Sequence, residues 1–254
     1  MEDQAMPQAV LLDISGVLYQ DALPLPGSVA AVEALQSKGH PLRLVTNTSR
    51  LTAVEIHRQL TGMGYAITPE QIYSAPKAMR SYVQAQGLRP YWLIHRNLQE
   101  EFADLLEQAE PNAVVLGDAE ERFDYAHLER AFHLLLAGAP LLAMGDNRYF
   151  HSRGALRLDA GPFVRALEYA AGVQALILGK PSKEFFAGAL EELGVAASDA
   201  LMIGDDVESD VFGAQQAGLL GCLVQTGKYR SGDEGKAPGA LLAKDLAEAV
   251  QRFC

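Results

Sequence analysis

The 254-residue sequence predicts an α/β protein: a doubly wound, parallel, Rossmann-like core sheet carrying an inserted α/β cap domain. Three features lead there. Short apolar runs alternate with longer helical patterns from end to end, and strand–helix–strand alternation builds parallel sheet through right-handed crossovers. Such runs outnumber what one compact sheet of this length needs. The strongest polar motifs sit near the two chain ends, so the stretch between them reads as an insertion. The expected division is residues 1–74 with 178–254 for the core and 75–177 for the cap.

In chain order, strands are expected at 9–15, 41–46, 91–95, 113–117, 140–144, 175–179, 200–204 and 221–225. Each is an apolar run of strand length. Helices are expected at 27–38, 53–60, 76–86, 98–108, 125–137, 163–171, 183–193, 209–217 and 241–253. Thr52-Ala53-Val54-Glu55 reads as a capping box. Gly39, Gly194 and Gly218 stand just past helix ends, where a left-handed residue is favoured. The stretch 227–239, rich in Gly, charge and Pro, reads as an exposed loop. Neither a repeat of fixed period nor a low-complexity tract is visible.

Composition narrows the function classes. At 49% hydrophobic and 21% charged residues, wholesale disorder is excluded. A net charge of −11 argues against nucleic acid as the main partner, because a phosphate backbone would be repelled. A small phosphorylated ligand remains open, since one local cation inverts the field at a site. Cys222 and Cys254 cannot build a disulfide framework and show no zinc spacing. Residues 1–8 are polar, without an apolar signal region, and no apolar run reaches membrane-spanning length. The expectation is a cytoplasmic protein with no membrane partner.

Four motifs carry chemistry, each where an apolar strand should end. In Leu11-Leu12-Asp13-Ile14-Ser15-Gly16, the strand closes on an acid and Gly16 permits a tight turn away from it. Ligands of open parallel sheets bind beyond the carboxyl ends of strands, which is where Asp13 stands. Thr46-Asn47-Thr48-Ser49 offers hydroxyl, amide and backbone N–H groups beside a helix start, a neutral cradle for an anion. Thr48 and Ser49 serve equally well as plain helix caps. Lys180, held between Gly179 and Pro181, reads as a fixed positive charge. Gly204-Asp205-Asp206-Val207-Glu208-Ser209-Asp210 crowds four acids at one strand end and helix entry. The helix start absorbs one or two of them. Like charges held close raise one another's pKa unless a cation intervenes, and oxygen-only donors point to Mg²⁺.

Acid, Thr/Asn, Lys and acid cluster, in that order, resemble the four motifs of the haloacid dehalogenase-like hydrolase superfamily. The insert resembles the cap of its NagD-like branch. A closer likeness at residues 11–19, 87–95, 158–172 and 204–210 extends over nearly the whole chain. It is to members that cleave P–N bonds of phospholysine and phosphohistidine and hydrolyse inorganic pyrophosphate.

The resemblance implies a Mg²⁺-dependent phosphatase in which Asp13 is the nucleophile and becomes an aspartyl-phosphate. It implies Mg²⁺ ligation by Asp13, the Ser15 carbonyl and Asp205, with Asp206 and Asp210 orienting metal-bound water. Ile14, Ser15, Thr46, Asn47 and Lys180 would join Asp13 around the phosphoryl group. The substrate would be a small phosphorylated molecule or a phosphoprotein, and a homodimer through the cap is also implied.

One departure matters. Superfamily phosphatases usually carry a second Asp two residues after the nucleophile, serving as acid and base, and here that position is Ser15. General acid–base help is worth about 10²–10⁴-fold, so alkyl phosphate esters are expected to be poor substrates. A P–N bond can be protonated at nitrogen by solvent, and pyrophosphate leaves as an already stabilised anion. Two other functions compete: a nucleotide or sugar phosphatase, against which Ser15 speaks, and a weakly catalytic regulatory module that binds phospho-ligands. Against the latter stand Asp13, Thr46, Lys180 and Asp205, all intact. A dehalogenase would work without metal and leave the acids near Asp205 without a cation. In the insert, His95 and Asp146-Asn147-Arg148 stand at strand ends, where they could face a ligand, although packing and surface roles suffice. Trp92 reads as core.

Overall fold

The computed structural model of the chain describes residues 6–106, 109–152 and 155–254. Residues 1–5 of the polar N-terminus and 107–108 of the helix expected at 98–108 lie outside the described residues. The chain divides into two compact units. The first is Met1–Thr46, Ala53–Tyr73 and Lys180–Cys254; the second is Asn47–Thr52 and Ser74–Gly179.

Along the chain the strands are β1 (Ala9–Asp13), β2 (Tyr19–Gln20), β3 (Leu23–Pro24), β4 (Leu42–Thr46), β5 (Ile72–Ser74), β6 (Pro90–Leu93) and β7 (Ala113–Leu116). There follow β8 (Leu141–Ala143), β9 (Tyr149–Ser152), β10 (Ala155–Leu158), β11 (Leu176–Ile177), β12 (Ala200–Gly204), β13 (Leu220–Val224) and β14 (Leu241–Ala243). The helices are α1 (Ser28–Ser37), α2 (Ala53–Gly62), α3 (Ala75–Ala85), α4 (Ala103–Leu106), α5 (Tyr125–Leu136), α6 (Gly161–Ala171), α7 (Lys183–Glu191), α8 (Gly213–Gln216) and α9 (Leu246–Phe253).

The main sheet runs β14-β13-β12-β1-β4-β5. Its central strands pair in parallel, and β1 and β12 are buried along their whole length. Burial on both faces is why these strands read as unbroken apolar runs rather than alternating ones. From β1 the chain steps through β4 and β5 to one side, and from β12 through β13 and β14 to the other. The reversal between β1 and β12 opens a crevice past their carboxyl ends, the place where such sheets bind ligands. Asp13 closes β1 and Asp205 follows β12.

The second unit has its own parallel sheet, β11-β8-β7-β6. One face packs on Met79 and Val83 of α3 with Trp92 and Phe102, and the other on Ala131, Leu135, Val164 and Leu167 of α5 and α6. Trp92 is core: its Nε1–H donates to the Leu105 carbonyl at 3.0 Å, and its ring lies 4.7 Å from that of Phe102. The strands β9 and β10 of this unit pair antiparallel.

Gly39, Gly194 and Gly218 all adopt positive φ, as their places after helices require. Elsewhere tertiary pairing overrides local pattern. The helix expected at 241–253 begins as a strand, because Leu241–Ala243 pairs with the open edge of β13; α9 starts only after Asp245, whose carboxylate caps it. Of the helix expected at 98–108, only a short turn at Arg96–Leu98 and α4 form among the described residues. Leu98, Phe102 and Leu105 still reach one core, through separate turns instead of one helix. The helix expected at 209–217 opens as a π-helical turn, Val207–Phe212, before α8. The pairs β2–β3 and β9–β10 and β5, each strand two to four residues long, are too short to register as strands in sequence.

Candidate active site

Four titratable side chains of the first unit converge at the crevice. Asp13, Asp205 and Asp210 are 7%, 2% and 1% exposed and Lys180 is 4% exposed. One carboxylate oxygen from each acid lies within 4.8 Å of the others. Lys180 Nζ donates to Asp13 Oδ1 and, at 2.7 Å, to Asp210 Oδ1. Asp210 Oδ2 accepts the Asp206 N–H at 3.1 Å, so both oxygens of Asp210 are engaged. Asp205 is different. Its Oδ2 accepts the Lys228 N–H at 2.7 Å, while its Oδ1 is buried with no hydrogen-bond partner among the described residues.

Local backbone explains the convergence. After β1, Gly16 at φ +86° turns the chain back, its N–H donating to the Tyr19 carbonyl at 2.8 Å. A Cβ at Gly16 would stand 2.1 Å from Asp205 Oδ2, so only glycine lets the loop close over that carboxylate. The π turn after β12 places Asp210 against Gly204, where a Cβ would stand 2.2 Å from the Asp210 Cβ. Turns of this kind are frequent at functional sites.

Three buried carboxylates face one ammonium. Burial, reinforced by repulsion from Asp13 and Asp210, raises the Asp205 carboxyl above the usual range. Asp210 also moves up, because burial and Asp13 outweigh the pull of Lys180. Burial opposes the charge on Lys180, but attraction to Asp13 and Asp210 wins and raises its pKa. The acids are thus under-neutralised. An oxygen-only donor set with one unsatisfied buried oxygen suits a hard divalent cation, and these three Asp residues could bind one.

Sequence reasoning missed the turn that follows β13. Read there as the start of an exposed loop, it reaches the crevice: the Thr226 hydroxyl donates to the Gly16 carbonyl at 2.5 Å. Gly227, at φ +55°, lies so close that a Cβ would stand 1.9 Å from Asp205 Oδ2. Farther on, Asp233 and Ala237 are buried. The available signal was positional, since Thr226-Gly227-Lys228 follows an apolar strand as the other motifs do.

The remaining residues named from sequence fall as follows. Thr46 closes β4, buried, one residue beyond the Val45 that registers with Asp13. Ile14 is buried, and the Ser15 side chain is exposed beside it. Asp206 caps the π turn, its Oδ1 accepting the N–H groups of Glu208 and Ser209, and its Oδ2 pairs with Lys228 Nζ at 2.9 Å. Asn47 opens the second unit, and its Oδ1 would lie 2.9 Å from a Cβ at Gly179. The segment it begins is fastened there: Arg50 Nε donates to Asp118 Oδ2 at 2.5 Å, and the Asp118 N–H to Ser49 Oγ at 3.2 Å. His95 is buried in the same ionic cluster, 3.3 Å from Glu120. Asp146 pairs with Arg165, and Asn147 accepts the Gly161 N–H at 3.1 Å, so that strand end is tied to the start of α6.

Comparison with known proteins identifies the family. Residues 10–109 match the family model described as haloacid dehalogenase-like hydrolase, and residues 177–249 the one described as HAD-hydrolase-like. The human protein named phospholysine phosphohistidine inorganic pyrophosphate phosphatase is 42% identical over 96% of this chain and 93% of its own. The mouse protein named haloacid dehalogenase-like hydrolase domain-containing protein 2 is 41% identical over 97% of this chain and 95% of its own. The solved structure of NagD from E. coli K-12 shares the fold, with a TM-score of 0.87 at 22% identity over 96% of this chain and 98% of its own. Among the described residues, no helix is long and apolar enough to cross a membrane.

Proposed function

We propose that this chain, which belongs to the haloacid dehalogenase-like hydrolase family and is a phosphatase, uses Asp13 as a nucleophile in Mg²⁺-dependent cleavage of phospholysine and phosphohistidine P–N bonds and of inorganic pyrophosphate. The observation that carries the reading is the buried set Asp13, Lys180, Asp205 and Asp210 beside an exposed Ser15. The set supplies charge for two anions to meet, and Ser15 puts no carboxyl group two residues after the nucleophile to serve a demanding leaving group.

Mg²⁺ would be held by Asp13, the Ser15 carbonyl and Asp205 Oδ1, and would supply positive charge against the phosphoryl oxygens. An Asp13 carboxylate oxygen then attacks phosphorus, and the bond to the leaving nitrogen or oxygen breaks with its electron pair. A leaving nitrogen is protonated by solvent before the bond breaks and departs as a neutral amine, and a leaving phosphate departs as an anion. Lys180, between Asp13 and Asp210, spreads the charge that develops as the two anions approach. Thr46, buried at the end of β4 next to β1, holds a phosphoryl oxygen. Water then attacks the aspartyl-phosphate, releasing phosphate and restoring Asp13. Asp210 acts by fixing Lys180, and Asp206 by fixing the turn that carries Asp210.

A substrate panel with purified protein and Mg²⁺ tests the reading. Phospholysine, a phosphohistidine mimic and pyrophosphate should each exceed a sugar phosphate in kcat/KM. Preference for the sugar phosphate would contradict it.

A further inference from the structure

We propose that Lys228 contacts the departing phosphate of pyrophosphate and sets the preference of this site for anionic leaving groups over amines. The inference rests on the reading of the site as one that cleaves both pyrophosphate and phospholysine.

Two ammonium groups belong to the crevice, and they differ in availability. Lys180 is buried and shared between Asp13 and Asp210. Lys228 reaches the site through its backbone, whose N–H binds Asp205 Oδ2 at 2.7 Å, while its side chain is 68% exposed. Its Nζ meets Asp206 Oδ2 at 2.9 Å. Exposed pairs of this kind are weak, so the ammonium can exchange that partner for a more highly charged one. Asp206 stays satisfied if it does, because its Oδ1 accepts two backbone N–H groups at 3.1 and 3.0 Å. The ammonium stands at Asp206, the residue after Asp205, and so beside the carboxylate set.

The chemistry calls for such a group. When Asp13 attacks pyrophosphate, the bridging P–O bond breaks and the electron pair stays on the departing phosphate. The Ser15 hydroxyl, unlike a carboxylic acid, is too weak an acid to protonate it. A cation beside that phosphate stabilises the growing charge without proton transfer. Phospholysine differs: its P–N nitrogen is protonated by solvent before cleavage and leaves as a neutral amine, so no anion grows for the ammonium to stabilise, and a nearby ammonium disfavours the protonated nitrogen. One residue thus moves the two substrates in different directions.

The test uses the full-length protein with Mg²⁺ and the variants Lys228→Ala and Lys228→Arg, with Arg230→Ala as a charge-matched control. Lys228→Ala should lower the ratio of kcat/KM for pyrophosphate to that for phospholysine about tenfold or more, and Lys228→Arg should restore part of it. Inhibition of 4-nitrophenyl phosphate hydrolysis by methylenediphosphonate, which cannot be cleaved, should weaken by a similar factor. An unchanged ratio overturns the proposal. So does a parallel loss on both substrates, which would mark Lys228 as a support for Asp205 and Asp206 only. If the wild type cleaves neither substrate, methylenediphosphonate alone decides: weaker inhibition in Lys228→Ala keeps the contact and removes the substrate reading, and equal inhibition removes the contact.

Discussion

Lys180 Nζ lies 2.7 Å from Asp210 Oδ1, and neither side chain reaches solvent. Removing one member of a buried ion pair leaves the other uncompensated, which costs far more than an exposed pair is worth. Lys180→Met, which leaves three buried acids without their cation, should therefore lower stability by about 3 kcal/mol or more and slow turnover as well. Denaturant unfolding at neutral pH and steady-state rates check this. An unaltered unfolding midpoint would mean that the acids take up protons in place of the lost cation.

Asp205 would couple metal binding to pH. Burial, then Asp13 and Asp210, raises its carboxyl in the metal-free fold. A carboxyl with a raised folded pKa adds stability where it is protonated, below its unfolded value. That contribution is lost as pH climbs through the folded value. Metal-free protein should therefore lose stability toward neutral pH, and Mg²⁺, which competes with the proton, should recover it. The rise in Tm on adding Mg²⁺ is expected to be larger at about pH 8 than at about pH 5. Equal rises would place the cation elsewhere.

Gly227→Ala tests how closely the turn after β13 fits. The added methyl would stand 1.9 Å from Asp205 Oδ2 on a backbone at φ +55°. Strain of about 1–3 kcal/mol is expected, together with displacement of the carboxylate. The Mg²⁺ concentration for half-maximal activity should rise well beyond what the stability loss explains. Wild-type Mg²⁺ dependence would show that Asp205 tolerates the shift.

Much of this was legible before any coordinates, for identifiable reasons. β1 and β12 are buried on both faces, so their apolar runs stand out, and the residues that end or follow them, Asp13 and Asp205, are conspicuous. Lys180 stood out because Gly and Pro flank it. Thr226–Lys228 did not, because its role is in backbone groups: a Gly16 carbonyl accepted, a Lys228 N–H donated. Nor did the strand at Leu241–Ala243, whose pattern is as helical as that of α9 and which only the edge of β13 decides. The pairing of Arg50 with Asp118 joins residues far apart in sequence, which periodicity cannot report.

That pairing gives a prediction for the second unit. Asp118 is buried and accepts both Arg50 Nε at 2.5 Å and the Glu120 N–H at 3.0 Å. Asp118→Asn should cost about 1–3 kcal/mol, the range for a charged hydrogen bond lost in the interior. Thermal unfolding reads it. A change within experimental error would mean that Ser49 and Asn97 suffice to hold the segment.

The most direct measurement asks whether phosphorus becomes bonded to Asp13. Protein mixed with pyrophosphate and Mg²⁺, quenched in acid during turnover and digested, should yield a phosphoryl adduct on the peptide that carries Asp13. Asp13→Asn should show neither adduct nor phosphate release while keeping the wild-type fold by circular dichroism. Phosphate release at near wild-type rate from Asp13→Asn, or an adduct confined to another residue, would contradict the account.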